Sequence, residues 1–147
     1  MDQEMKIDLG GGLNCPQGYV GLDKHGGHIL VDLEEGSLPF LDDSIDEIRA
    51  HHILEHISNL IPLMNDCRRV LKSAGLMEIE VPKYPSFTCF VDPTHVRAFA
   101  DGIFDYFTRR LAYFNYGIEP WTIVSQKSSP DYLWVTLMPD DMDVANG

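Results

Sequence analysis

KIDLGGG, residues 6–12, runs a short strand (Met5–Leu9) straight into three glycines. Glycines directly after a strand make a turn that a ligand can approach closely along the backbone. The segments downstream of this turn decide the fold. Tyr19–Leu22 reads as a second short strand ending in Asp23, and Ile29–Val31 as a third ending in Asp32. Ile45–Ala50 reads as a fourth and runs into HHILEH, residues 51–56. Leu60, Leu63, Met64, Cys67, Val70 and Leu71 then fall on one face at helical spacing. Ser58 or Asn59 is placed to cap that helix, and Pro62 is tolerated in its first turn. Lys72 is expected in its last turn and Gly75 as its C-cap. Leu76–Val81 reads as a strand stopped by Pro82, and a loop with Pro85 and Pro93 comes next. Asp101 is placed to cap a second helix with Ile103, Phe104 and Phe107 turned inward. Trp121–Ser125 and Tyr132–Met138 read as two late strands around a Ser-Ser-Pro-Asp turn.

This order predicts an α/β fold with a mostly parallel sheet and an antiparallel C-terminal hairpin. Ligands of such sheets bind beyond the carboxyl ends of the strands. The glycine turn, Asp23, Asp32 and residues 51–56 all fall at those ends.

At 147 residues, one domain over 1–147 is expected, with an acidic, frayed tail over 140–147. With 44% hydrophobic and 23% charged residues the chain has an ordinary globular composition. It contains no apolar run long enough for a membrane span, and its acidic first residues, MDQEMKIDLGGG, are not expected to act as a secretory signal. Its 3 cysteines are far apart, with no Cys-x-x-Cys, so a cytoplasmic location is expected. A net charge of −12 argues against nucleic acid as a general partner. Arg68, Arg69 and Lys72 form a small basic cluster, read here as a solvated helix end.

The glycine turn does not match a dinucleotide fingerprint. Cys15 stands where the third glycine belongs, and Pro16 and Gly18 prevent a proper helix before Asp23. A pyrophosphate wants a helix N-terminus beneath it. The loop therefore suits a ligand that needs close backbone approach but carries no phosphate there. Asp23 is placed to accept from ribose hydroxyls and Asp32 from an exocyclic amine.

KIDLGGG (6–12), YVGLD (19–23), VDLEEGSLPFLDDSIDEIRAHHILEHI (31–57), CRRVLKSAGLMEIEVP (67–82) and DPTHVRAF (92–99) together resemble the class I S-adenosylmethionine-dependent methyltransferases. The likeness is specifically to a compact, small-molecule-type, methyltransferase-11-like bacterial or phage branch. The resemblance implies a Rossmann-like methyltransferase sheet and S-adenosylmethionine as cofactor, with S-adenosylhomocysteine as product. It implies Gly10 and Gly12 along the methionine part, Asp8 near its ammonium, Asp23 on the ribose, Asp32 and Leu33 at adenine, and residues from His51 to Leu54, His51 and His52 first among them, beneath the sulfonium. One departure is plain: the helix that usually comes after the glycine turn is cut to a loop. The thinned cover favours a homodimer in which a partner copy closes the pocket.

Methyl transfer from a sulfonium asks mainly for orientation and exclusion of water. A hydroxyl acceptor also needs a general base, most often an imidazole. His56 and His95 are the candidates, with Glu55 or Asp92 orienting them. The acceptor is expected to be a small or carbohydrate-like molecule, methylated on oxygen or nitrogen. Two rivals stand beside this reading. One is a cofactor-binding partner subunit without catalysis. The other is a metal-dependent hydrolase, because His52, Glu55 and His56 spell H-x-x-E-H. Some methyltransferases of the superfamily also place a divalent ion beside the acceptor at this turn; no metal ligand is assigned here. Asp92–His95 equally reads as an ordinary capped turn. Phe99, Phe104, Tyr106, Phe107, Tyr113, Phe114, Tyr116 and Trp121 are read mainly as packing, with one or two over the acceptor.

Overall fold

The glycine turn ends the inner strand of a seven-stranded sheet. The computed structural model describes residues 3–112 and 116–141. Strand β1 (Lys6–Leu9) lies between β2 (Val20–Asp23) and β4 (Ile45–His51), parallel to both. Beyond β2 comes the short β3 (Ile29–Leu30), and beyond β4 comes β5 (Leu71–Pro82), also parallel. The last two strands, β6 (Trp121–Ser128) and β7 (Tyr132–Pro139), form the expected antiparallel hairpin on β5. The order is β3-β2-β1-β4-β5-β7-β6.

Register gives the sheet two unlike faces. Ile7, Ile48 and Met77 align across β1, β4 and β5, and Leu137 continues the row in β7. All four are fully buried, together with Leu9, Leu22, Ala50 and Leu133 nearby. Helix α1 (Leu60–Val70) packs its buried Leu60, Leu63, Met64, Cys67 and Val70 into the same core. Phe99 and Phe104, stacked with centroids 5.8 Å apart, fill its far end with Phe107 and Trp121. Burying one such side chain is worth about 1.5–3 kcal/mol. On the opposite face the alternating positions are Asp8, Arg49, Glu78 and Thr136. No helix covers them among the described residues. Residues 10–19 join β1 to β2 through a single 3-10 turn (Gly12–Asn14), and residues 24–28 join β2 to β3 with no helix. The polar side chains satisfy one another instead. Lys6 lies 3.4 Å from Glu47, and Lys127 sits 5.3 Å from the Trp134 ring centroid.

Several local expectations are corrected. Helix α1 stops at Val70 because Leu71 pairs with Ile45 and opens β5. Lys72 is therefore a strand residue bonded to Asp46 at 3.0 Å, and Gly75 lies inside β5 rather than capping the helix. Neither the Ser58 nor the Asn59 side chain caps α1. The Glu34 carboxylate accepts the Ser58 and Asn59 N–H groups at 2.7 and 3.1 Å. The second helix is only a 3-10 turn (Ile103–Phe107), and Asp101 pairs with Lys83 at 2.8 Å instead of capping it. Two single helical turns, α2 (Phe87–Phe90) and α3 (Arg109–Ala112), flank that region. The basic cluster is structural: Arg68 donates to the Pro120 carbonyl, and Arg69 to Asp66 and the Leu38 carbonyl. The expected tail is held at its first residue, since Arg109 donates to Asp140 at 2.9 Å. Residues 142–147, like Tyr113 and Phe114, lie outside the described residues. No helix among the described residues is long and apolar enough to cross a membrane.

Candidate active site

Two clefts meet at the carboxyl end of the parallel strands and share His56. The larger, about 490 Å³, is lined by Gly10, Asp23, Asp32, Leu33, Ile53 and His56, among others. The smaller, about 280 Å³, is lined by His52, Glu55, His56, Asp92, His95 and Tyr132, among others.

The first cleft is shaped by the turn that ends β1. Gly10 and Gly12 take φ of +77° and +56°, which β-carbon sterics disfavour. A β-carbon on Gly10 would approach Ile53 to 2.5 Å, so the turn lies flat against that side chain. A β-carbon on Gly12 would stand 3.3 Å from Asp23 Oδ2, so the β2 acid faces bare backbone. Asp23 Oδ1 accepts the His25 N–H at 3.1 Å. Asp32 caps the next turn (Leu33–Glu35) by accepting from the Glu34 N–H at 3.1 Å. Backbone approach at the glycines, a carboxylate beside them and a second acid with a buried Leu33 farther along make a cradle fit for a nucleoside with an amino-acid arm.

Asp8 and His51 do not line this cleft. Asp8 is buried, 3.3 Å from Arg49, with Oδ2 turned beneath Gly11. Burial pushes its carboxyl above the usual range, against the pull of Arg49. His51 faces the uncovered side of the sheet, in a separate hollow with Glu78 and Trp134. Burial, reinforced by Arg49, holds its imidazole below the ordinary value.

The HHILEH segment is not a helix. His52 has φ +59°, an uncommon conformation for a non-glycine residue, and its N–H is held by the Glu80 carbonyl at 2.9 Å. Its ring pairs through Nε2 with Glu80. The chain then makes one 3-10 turn, Leu54–His56. His52 and His56 are thus not stacked one helical turn apart, as the hydrolase reading requires.

That turn sends Glu55 inward and His56 toward the seam. The Glu55 carbonyl accepts the Val96 N–H at 2.8 Å, and Arg97 donates to the Ile57 and Ser58 carbonyls at 3.0 and 2.8 Å. These bonds dock the 92–97 segment, so His95 reaches His56 with ring centroids 4.7 Å apart. Thr94 Oγ1 donates to Asp92 Oδ1 at 2.7 Å and lies 2.9 Å from His56 Nδ1. The hydroxyl's one proton is spent on Asp92, so His56 Nδ1 is the donor to Thr94. His95 Nδ1 lies 2.9 Å from the Cys89 carbonyl, which can only accept. Both rings thus keep Nε2 free. The bonds from Thr94 hold the Asp92 carboxyl below its usual range, whereas burial drives the Glu55 carboxyl up. The four acid and base candidates come together. Thr94 was not singled out as a site residue in the sequence, because it acts only through a contact 38 positions away.

A family model described as a methyltransferase domain matches residues 21–79. No curated protein matches the chain significantly. The chain is similar in fold to a solved Haloferax volcanii complex of the Trm112 methyltransferase activator with a methyltransferase, at 16% identity over 93% of this chain and 83% of that one, TM-score 0.67. It is also similar to an Archaeoglobus fulgidus SAM-dependent methyltransferase, at 16% identity over 92% and 86%, TM-score 0.67. A third likeness, to an Aquifex aeolicus SAM-dependent methyltransferase, has 12% identity over 93% and 82%, TM-score 0.63.

Proposed function

We propose that this chain is a class I S-adenosylmethionine-dependent methyltransferase that methylates a small-molecule or carbohydrate-like acceptor on oxygen or nitrogen, a reading supported by the methyltransferase-domain match over residues 21–79 and by the likeness in fold to SAM-dependent methyltransferases. The observation that carries the reading is the shared wall of the two clefts. His56 borders both the cradle of Gly10, Asp23 and Asp32 and the hollow of Glu55, Asp92 and His95. S-adenosylmethionine, when bound, supplies a methyl carbon on cationic sulfur, and the acceptor's lone pair forms the new bond as the carbon–sulfur pair returns to sulfur.

The chain's own residues do the rest. Gly10 and Gly12 admit the methionine arm, Asp23 accepts from the ribose hydroxyls, and Asp32 and Leu33 hold the adenine. Asp8 acts from beneath the glycine turn, and His51 and His52 shape the strand end behind it. His56, fixed through Thr94 and Asp92, accepts the acceptor's proton at Nε2; His95 is the alternative base, and Glu55 orients the pair. Release from a neutral leaving group needs no oxyanion hole, so positioning carries most of the rate. Homodimerisation that covers the loop over 10–19 completes the pocket.

Calorimetry with S-adenosylhomocysteine tests this. Saturable binding is expected, and Asp23→Ala weakens it by about 1–3 kcal/mol, the worth of hydrogen bonds to a charged acceptor. Absence of binding at millimolar ligand defeats the reading. A cofactor-binding partner subunit without catalysis is the second reading, favoured by the helix-free face of the sheet. It predicts the same affinity but no methylated product by mass spectrometry across a metabolite panel.

A further inference from the structure

We infer that the acceptor carries an apolar tail, an alkyl chain or an aryl group, and that the outer side of α2 together with Tyr84 is the subsite that holds it. The inference rests on the methyl-transfer reading and names the acceptor class for that site: a hydroxyl or amine head joined to an apolar tail.

Helix α2 is amphipathic in the reverse sense. Phe87, Phe90 and Val91 fall at i, i+3 and i+4, on one side of the turn, and the Val91 N–H bonds the Phe87 carbonyl at 3.1 Å. That side faces out: the three are 74%, 64% and 55% exposed. Tyr84, 52% exposed, extends it, its ring in edge contact with Phe90 at 6.2 Å between centroids. Polar groups take the inward side. Thr88 donates to the Asp131 carbonyl at 3.0 Å, and Ser86 bonds Thr88. Of the four residues of α2 only Cys89 is buried. These bonds, not burial of the rings, set the orientation of the turn. Single exposed apolar residues are ordinary, whereas an adjoining set of large ones marks a binding surface.

The strip opens into the smaller cleft. Val91 lines that cleft, together with Thr88, Asp92 and His95. The Cys89 carbonyl, on the same turn, accepts from His95 Nδ1 at 2.9 Å, so the strip and a proposed base are carried by one stretch of backbone. Phe87 lies four positions before Val91, about 6 Å back along the helix axis. A tail laid on Val91, Phe90 and Phe87 therefore leads away from the cleft and leaves its head inside. Other occupants fit less well. A second copy or a membrane seated on the strip would cover the lip of the cleft and bar the acceptor. The net charge of −12, with Asp92 at the end of the strip, also repels anionic lipid. A tail on the acceptor itself covers the rings and brings its head to His56 and His95 in the same step.

Normal alkanols from butanol to octanol are the probes, each a hydroxyl head on a neutral tail, and amide NMR shifts of the full chain are the readout. Saturable shifts are expected at residues 87–91 and at His56 and His95 together, with affinity rising about fourfold for each added methylene. Phe87→Ser combined with Phe90→Ser should flatten that rise. Both side chains are exposed, so the variant keeps its fold, which circular dichroism verifies. A flat series in the wild type overturns the subsite, as does a rise unchanged in the double variant, or shifts at 87–91 with none at His56 and His95. A dimer seen by ultracentrifugation, or binding to phosphatidylcholine vesicles, that the double variant abolishes also overturns it, because a second copy or a membrane is then the occupant. S-adenosylhomocysteine calorimetry on the same samples separates the two readings: a rising series without cofactor binding keeps an apolar subsite and removes the methyltransferase, and cofactor binding with a flat series does the opposite.

Discussion

Ile48 and Arg49 are neighbours in β4, but they belong to different environments. Ile48 is fully buried in the core that α1 completes. Arg49 faces the other way, beside Asp8 in the next strand and in register with Glu78. Parallel sheets usually have helices on both faces and strands that are apolar throughout. This sheet keeps that arrangement on one face only. On the other, connections too short for a helix leave charged side chains to pair among themselves. Stability and ligand binding are thereby divided: the covered face holds the molecule together, and both clefts open at the end of the strands, where neither face closes them.

The division can be broken or sharpened by substitution. The largest effect is expected on the covered face. Phe104→Ala, which removes a fully buried ring stacked on Phe99, should lower the unfolding free energy by about 3–5 kcal/mol in urea titration. A loss below ~1 kcal/mol would mean that the aromatic end is not part of the core.

Arg49→Met comes next, with an expected loss of about 2 kcal/mol at neutral pH, because it strands the buried Asp8 carboxylate. Its pH dependence is diagnostic. The Asp8 carboxyl is held above its ordinary value by burial, and Arg49 opposes that rise. Where the folded value exceeds the unfolded one, the folded state binds more protons, so stability falls as pH rises through that window. Without Arg49 the window widens upward. The gap between variant and wild type should therefore be largest at neutral pH and close as pH falls toward the ordinary carboxylate value. An equal gap at pH 5 and pH 8 would assign the loss to packing.

Thr136→Val, on the uncovered face between Glu78 and the hairpin's outer strand, should change stability by no more than ~0.5 kcal/mol. A loss comparable to that of Phe104→Ala would show that something covers this face in solution.

Much of this was legible in the residues. Strands that end in glycines, Asp23 and Asp32 gave the sheet and the cradle, because apolar periodicity and turn chemistry are local. The uncovered face was legible too: IDEIRAH (45–51) and LMEIEVP (76–82) alternate as half-solvated strands do. What misled was Leu71. It continues the helical stripe of Leu60–Val70, but pairing with Ile45 draws it into β5, and Lys72 and Gly75 go with it. The smaller cleft needed the fold itself. The path from Asp92 through Thr94 to His56 depends on segments some forty positions apart meeting across a loop.

Glu34 gives the architecture a further property. It borders the larger cleft, and its carboxylate holds the N–H groups of Ser58 and Asn59, just ahead of the longest helix described. A ligand that steadies the turn over 33–35 must also slow the fraying of α1. Amide hydrogen exchange at Leu63, whose N–H bonds the Asn59 carbonyl, is then a gauge of occupancy, and loss of that Glu34 contact should uncouple the gauge.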